Sequence, residues 1–346
     1  MMSDLTSIIK PKKCCCLKDD TCRCKEIKTI QRYIRTWFIK INELAIISYQ
    51  KEHITYRSIN VFTEKERSKN DSNNKKREAI IVSIINNKIP KEYYIYSLRW
   101  YNLKNTIDLF IKNLCETKNI IKVDSVSCIH KGGRNSSYDF KFIVNKSEEF
   151  LVEFKFNAYS VNDTPQFVSP MKPSQYLESS YEEYYYENYL TTLVNEFNMS
   201  LPTKEEYLKR IHSTNPKCVK ELQDKYYRGC IKSSKYSGKE NDIDFYKASI
   251  KTAKRSILNF ISNYDLVQDK LTEYLVGTQK NKNYMLYKDS NIHLEKINVD
   301  QYIITEITKD PKGSRYIAKT KSGEKLKILM RWKNGNGIAF PCFQIS

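Results

Sequence analysis

The chain has 346 residues, of which 40% are hydrophobic, 29% charged and 12% aromatic, and a formal net charge of +19. That is the balance of a globular protein of two or three domains rather than of a disordered or fibrous chain. No run of 18 or more apolar residues occurs and the N-terminus lacks the continuous apolar stretch of a signal peptide, so neither a membrane span nor secretion is expected, and an intracellular setting is.

Residues 1–28 read as a basic, Cys-rich tail. Its Cys14, Cys15, Cys16, Cys22 and Cys24 are dense enough for thiolates such as Cys14, Cys16, Cys22 and Cys24 to enclose Zn²⁺. The spacing is not a standard paired-cysteine pattern and no His lies inside it, so a redox-labile tail is the alternative. A helical extension follows over residues 29–95. Ile30, Ile34, Trp37, Phe38, Ile41 and Leu44 recur at helical spacing beside Arg32, Arg35 and Lys40, which predicts a basic amphipathic helix. The stretch from Ile30 to Lys40 is similar to the IQ motif bound by calmodulin-like proteins, with Thr36 where that motif carries Gly. A helix packed on its own domain is the competing expectation. The run ERSKNDSNNKKRE, residues 66–78, is nearly devoid of apolar residues and predicts an exposed loop or linker.

A core is expected over residues 96–277. NTIDLFIKNLCETK places Ile107, Phe110, Ile111 and Leu114 on one helix face, and IIKVDSVSCIH, SYDFKFIV and EFLVEFKFN follow as short β-branched or aromatic segments. The order helix, strand, strand, strand is therefore expected. Residues 174–200 are acidic and Tyr-rich; as a helix they would turn Leu177, Tyr181, Tyr184, Tyr185 and Tyr189 inward and leave Glu182 and Glu183 in solvent. One long helical region is expected over 244–276, ended by Gly277. Over residues 278–346 the period switches, with YIITEIT, RYIAKTK, KLKILMRW and GIAFPCFQI separated by DPKGS, SGE and NGNG. Antiparallel β-hairpins follow from that pattern, and the region could complete the core sheet. The fold class expected is α/β of the α+β kind, with a mixed central sheet flanked by helices.

Charge is spread unevenly. Lys and Arg outnumber Asp and Glu by 21 to 11 over residues 1–100, by 7 to 4 over 101–145 and by 25 to 14 over 211–346, but are outnumbered 11 to 6 over 146–210. Basic flanks attract a polyanion by releasing its counterions, whereas carboxylates repel phosphate unless a cation bridges the two. Such a charge plan suits a metal-dependent enzyme acting on nucleic acid. A merely Lys-rich solvated surface gives similar totals, because 26 Tyr, 9 Gly and 9 Pro with abundant Lys, Asn and Ile resemble the coding bias of an AT-rich genome, of the kind seen in many large DNA viruses.

The segment that carries chemistry runs from Gly132 to Lys155. Side chains alternate along a strand, so Glu153 and Lys155 share one face while Phe150, Val152, Phe154 and Phe156 take the other. Upstream, Asp139 and Lys141 oppose Phe140, Phe142 and Val144. A short NKSEE connection would pair the two segments as a hairpin and bring Asp139 near Glu153. Charges on an otherwise apolar strand must be compensated, and binding a divalent cation would meet that demand, with oxygen donors suiting Mg²⁺. The chemistry such a set supports is phosphodiester hydrolysis.

Asp139, followed after fourteen positions by Glu153-x-Lys155 behind a helix and a first strand, resembles the PD-(D/E)XK nuclease superfamily, the restriction-endonuclease-like fold, over roughly residues 100–200. Tyr138 stands where the motif's Pro would be. The resemblance implies Asp139 and Glu153 as metal ligands, Lys155 as the catalytic cation, Mg²⁺ as cofactor with Mn²⁺ as substitute, and Glu116 on the preceding helix as a further ligand. It implies a DNA endonuclease, with RNA as an alternative substrate and a homodimer compatible with it. Lys131, Arg134, Arg331 and Lys333 are candidate phosphate contacts. Trp332, between the last two, either stacks on nucleic acid or enters the core, and Pro341 marks an edge or bulge. The competing expectation is a basic nucleic-acid-binding protein without catalysis.

Overall fold

A computed structural model describes residues 24–42, 44–65, 69–131, 136–163, 172–213, 215–311, 313–332, 337–338 and 341–346. The fold is α+β and divides into two compact units, Met1–Asn105 and Thr106–Ser346. Among the described residues no helix is long and apolar enough to cross a membrane.

The first unit holds α1 (Cys24–Asn42), a hairpin of β1 (Ile47–Tyr49) and β2 (Glu52–Ile54), α2 (Asn70–Ile85), α3 (Lys91–Tyr96) and the start of α4 (Leu98–Glu116). The amphipathic spacing forms α1, on which Ile30, Ile34 and Trp37 remain exposed. Cys14, Cys16 and Cys22 lie outside the described residues, as does the Cys24 side chain, and the zinc expectation falls there with them. The linker expected over 66–78 is corrected, because α2 begins at Asn70 and runs through most of it. Buried polar groups replace the missing apolar stripe. Arg77 donates to the carbonyls of Val61 at 2.8 Å and Glu64 at 2.7 Å and to Asn74 Oδ1 at 2.6 Å, and Asn73 donates to Glu64 Oε2 at 2.9 Å. A helix whose buried polar atoms are satisfied in this way shows no hydrophobic period to read.

The second unit is built on a five-stranded sheet of β3 (Val126–His130), β4 (Phe140–Val144), β5 (Glu148–Phe156), β6 (Lys282–Lys288) and β7 (Asn291–Lys296), in that spatial order. Every neighbouring pair is antiparallel except β5 and β6, so the sheet is mixed. Asn145 and Lys146 turn the β4–β5 hairpin with φ of 50° and 64°, the left-handed conformation that a tight hairpin turn demands and Asn tolerates. Phe140, Phe142, Val144, Phe150 and Val152 are buried on one face, and Phe110 of α4 meets Phe142 edge-on at 6.2 Å between ring centroids. That burial fixes the register, since a one-residue slip would turn Glu153 and Lys155 into the core.

A parallel strand needs a crossover, and residues 157–281 supply it as helices. α5 (Tyr181–Tyr185) runs through a π-helical turn (Tyr186–Leu190) into α6 (Thr191–Glu196), followed by α7 (Lys204–Ile211), α8 (Pro216–Tyr226), α9 (Glu240–Asn263) and α10 (Gln268–Gln279). Tyr181, Tyr185 and Tyr189 enter the core, but Glu182 does too and meets His212 Nε2 at 2.9 Å, which corrects its expected place in solvent. The single helix expected over 244–276 is two helices. They part at Tyr264–Val267, where Val267 N–H donates to Tyr176 O and Glu178 N–H to Asp265 O. Gly277 lies inside α10 rather than ending it.

The C-terminal region divides between two sheets. Its first hairpin, β6 and β7, completes the mixed sheet, and β8 (Ile304–Lys309), β9 (Arg315–Thr320), β10 (Lys325–Trp332) and β11 (Pro341–Ile345) form a separate antiparallel sheet in the order β11-β10-β9-β8. Trp332 is in the core, its Nε1 donating to Tyr181 Oη at 2.9 Å. Pro341 opens the edge strand β11, a position where the missing N–H is tolerated.

Candidate active site

Asp139 stands just before β4, where the end of β3 and the start of β4 are tied to the interior of β5. Its N–H donates to Val152 O at 3.1 Å, its C=O accepts from Lys131 N–H at 2.7 Å, and its Oδ2 accepts the Phe154 N–H at 2.9 Å. Because Phe140 pairs with Val152, Asp139 is opposite Glu153. On the other side of β5, Glu153 registers with Tyr284 and Leu151 with Lys282. The polar face of three adjacent strands therefore gathers Asp139, Glu153, Lys155, Lys282 and Tyr284.

Glu153 is the centre of this group. Lys155 Nζ lies 2.7 Å from Oε1 and Lys282 Nζ 3.5 Å from Oε2, with the side chains of Glu153, Lys155 and Lys282 only 15%, 17% and 4% exposed. Burial pulls Lys282 below the ordinary lysine range; Glu153 opposes that shift, the Lys155 ammonium adds to it, and Asp139 opposes it. Tyr284 is pushed far above the ordinary tyrosine range by burial and then by the negative charge of Glu153, with Asp139 and Glu295 adding to it. Its hydroxyl donates to Gln279 Oε1 at 2.6 Å. Two carboxylates and two ammoniums thus feel one another in a partly desolvated setting, where charge interactions act more strongly than in water.

Asp139 and Glu153 are oxygen donors of the type that Mg²⁺ takes, an ion commonly held by one or two carboxylates that completes its shell with water and substrate oxygens. Among the described residues no group of three or more His, Cys, Asp or Glu side chains is placed to hold a metal. Glu116 in particular is not brought to the cluster. It is exposed at the end of α4, 4.0 Å from Lys112, and Lys118 two residues on binds Glu148 and the Glu149 carbonyl. That is the start of β5, roughly 16 Å of strand from Glu153. The helix ends at the wrong end of the hairpin for Glu116 to serve as a third ligand.

Of the candidate phosphate contacts, Lys131 is exposed beside Asp139, to which its backbone is bonded. Arg331 lies on β10 in the other sheet and donates to Gln344 Oε1 at 2.6 Å. Arg134 and Lys333 lie outside the described residues. Lys282 and Tyr284 were not among the residues singled out from sequence. Their signal is a lysine at the head of the apolar strand KNYMLYK, and only the parallel pairing with a distant strand gives it meaning.

Comparison of the chain with protein-family models, with curated proteins and with solved structures finds no match.

Proposed function

We propose that the chain is a metal-dependent nuclease that hydrolyses phosphodiester bonds of DNA at Asp139, Glu153 and Lys155. The observation that carries this reading is the placement of Asp139 opposite Glu153 on neighbouring strands, with Lys155 Nζ 2.7 Å from the Glu153 carboxylate. A helix followed by three antiparallel strands, with a later strand added in parallel, agrees with the mixed central sheet implied by the resemblance to PD-(D/E)XK nucleases.

Mg²⁺, or Mn²⁺ in its stead, would supply Lewis acidity toward the phosphate oxygens. Asp139, fixed by the Phe154 N–H, and Glu153 would hold it. The Lys155 ammonium orients the attacking water and offsets the negative charge that develops on the phosphoryl oxygens. Lys131 at the neighbouring strand end, with the basic surface of a chain of net charge +19, draws the phosphate backbone toward the site.

Plasmid, linear DNA and RNA incubated with Mg²⁺, with Mn²⁺ and with a chelator test the reading. Cleavage of DNA that needs the cation and falls on the order of 100-fold or more in Lys155→Ala is expected, the size seen when one charge-stabilising donor is lost. Equal cleavage by wild type and Lys155→Ala would remove the assignment. The competing reading, a basic nucleic-acid-binding protein without catalysis, draws on the same net charge and predicts salt-dependent retention of DNA that a chelator leaves unchanged.

A further inference from the structure

We infer that Lys282 is a positioning residue that holds the Asp139–Glu153 site to a single divalent cation, an inference that rests on the nuclease reading above. Lys282 heads β6, far along the chain from the hairpin, yet its side chain is 4% exposed and its Nζ lies 3.5 Å from Glu153 Oε2, while Lys155 takes Oε1 at 2.7 Å. Each oxygen of Glu153 therefore faces its own ammonium. Lys155 is part of the Glu-x-Lys pattern. Lys282 is an additional fixed positive charge delivered by a different strand, enclosed beside the Tyr284 ring at 5.7 Å.

Sites that use two metals set the ions about 3.5–4 Å apart and share carboxylates between them. Here Glu153 Oε2, an oxygen that a second ion would share, faces the enclosed ammonium of Lys282 at 3.5 Å instead. The charge count points the same way. Asp139 and Glu153 are balanced by Lys155 and Lys282, so a first divalent cation leaves these groups with an excess of +2, of which the single charge of a bound phosphodiester offsets half. A second would raise it to +4, and among the described residues no set of three or more His, Cys, Asp or Glu side chains is placed to hold a metal. The side chain of Lys282 is enclosed, in contrast to a surface lysine whose ammonium reaches water on a long stem.

Mn²⁺ binding to the purified full-length chain, counted by electron paramagnetic resonance and by calorimetry without DNA, tests the inference independently of cleavage. Wild type is expected to bind one Mn²⁺ per chain at the site, a signal lost in Asp139→Asn. Lys282→Met, which removes the charge and keeps the volume, is expected to bind a second ion or to bind the first about tenfold more tightly or better, since a like charge at close range has been removed. Lys282→Arg, which keeps the charge, is expected to retain a single ion. If Lys282→Met does not fold by circular dichroism, Lys282→Gln carries the same expectation. Two Mn²⁺ lost together in Asp139→Asn of the otherwise wild-type chain, or stoichiometry and affinity unchanged on neutralising Lys282, would overturn the role of Lys282 and leave the nuclease reading standing. No Mn²⁺ bound by wild type would overturn both.

Discussion

Glu153 is worth more to the fold than a surface acid, because removing it strands a lysine. Lys282 is buried with Glu153 as its carboxylate partner, and breaking a buried pair from one side costs on the order of 3–5 kcal/mol, whereas replacing both members with apolar groups is often neutral. Glu153→Ala is therefore expected to lower the urea midpoint sharply, and adding Lys282→Met to recover most of the loss. A double mutant no more stable than Glu153→Ala would contradict the pairing. For the same reason Lys155→Ala and Asp139→Asn are cleaner probes of catalysis than Glu153→Ala. At this scale Asp139, Glu153 and Lys155 were legible because they obey a period of two within one hairpin. Lys282 was not, since nothing local indicates which distant strand adds beside β5. Glu116 was misread because helix spacing gives the face of a side chain but not the end of the sheet at which the helix stops. Glu182 was misread because its partner His212 lies thirty positions away.

The helices of the second unit are held by tyrosines, and this makes their stability sensitive to alkali. Burial raises Tyr176 and Tyr226 to about 12, and holds Tyr185 and Tyr207 well above the ordinary value of 10.0. In the first unit burial raises Tyr93 to about 12 as well. A group whose folded pKa is raised stabilises fully below its unfolded pKa, and that contribution is lost as pH climbs from the unfolded value through the folded one. The denaturant midpoint should hold up to about pH 10 and fall between there and pH 12, with the late part of the tyrosinate absorbance rising together with unfolding. Complete tyrosinate formation while the circular dichroism is still native would contradict a tyrosine core. Among the elements, β4, β5 and α4 were readable from apolar period. α2 was not, because Arg77 and Asn73 bury polar atoms where the pattern asks for apolar ones. The break between α9 and α10 was hidden for a related reason: the chain from Tyr264 to Val267 carries no Gly or Pro, and its backbone is satisfied by residues 176–178 far away in sequence.

At the scale of the whole molecule, the net charge of +19 predicts that DNA retention weakens steeply as salt rises, since each neutralised phosphate releases counterions. Retention that is unchanged from low to moderate salt would argue against a polyanion as the partner. Fold class and the mixed sheet were legible because alternation and helical period are strong over most of the chain. The division of the C-terminal region between two sheets was not, because hairpin signals are local and β6 joins its parallel neighbour only through the helices that precede it. Binding alone, however, is common to the enzyme and to a non-catalytic binder. The decisive comparison is plasmid cleavage in Mg²⁺ by wild type and Asp139→Asn, each at a concentration giving the same DNA occupancy. Cleavage by wild type and a loss on the order of 100-fold or more in Asp139→Asn is the expected result; equal rates at equal occupancy, or no cleavage by either, would contradict a metal-dependent nuclease centred on Asp139 and Glu153.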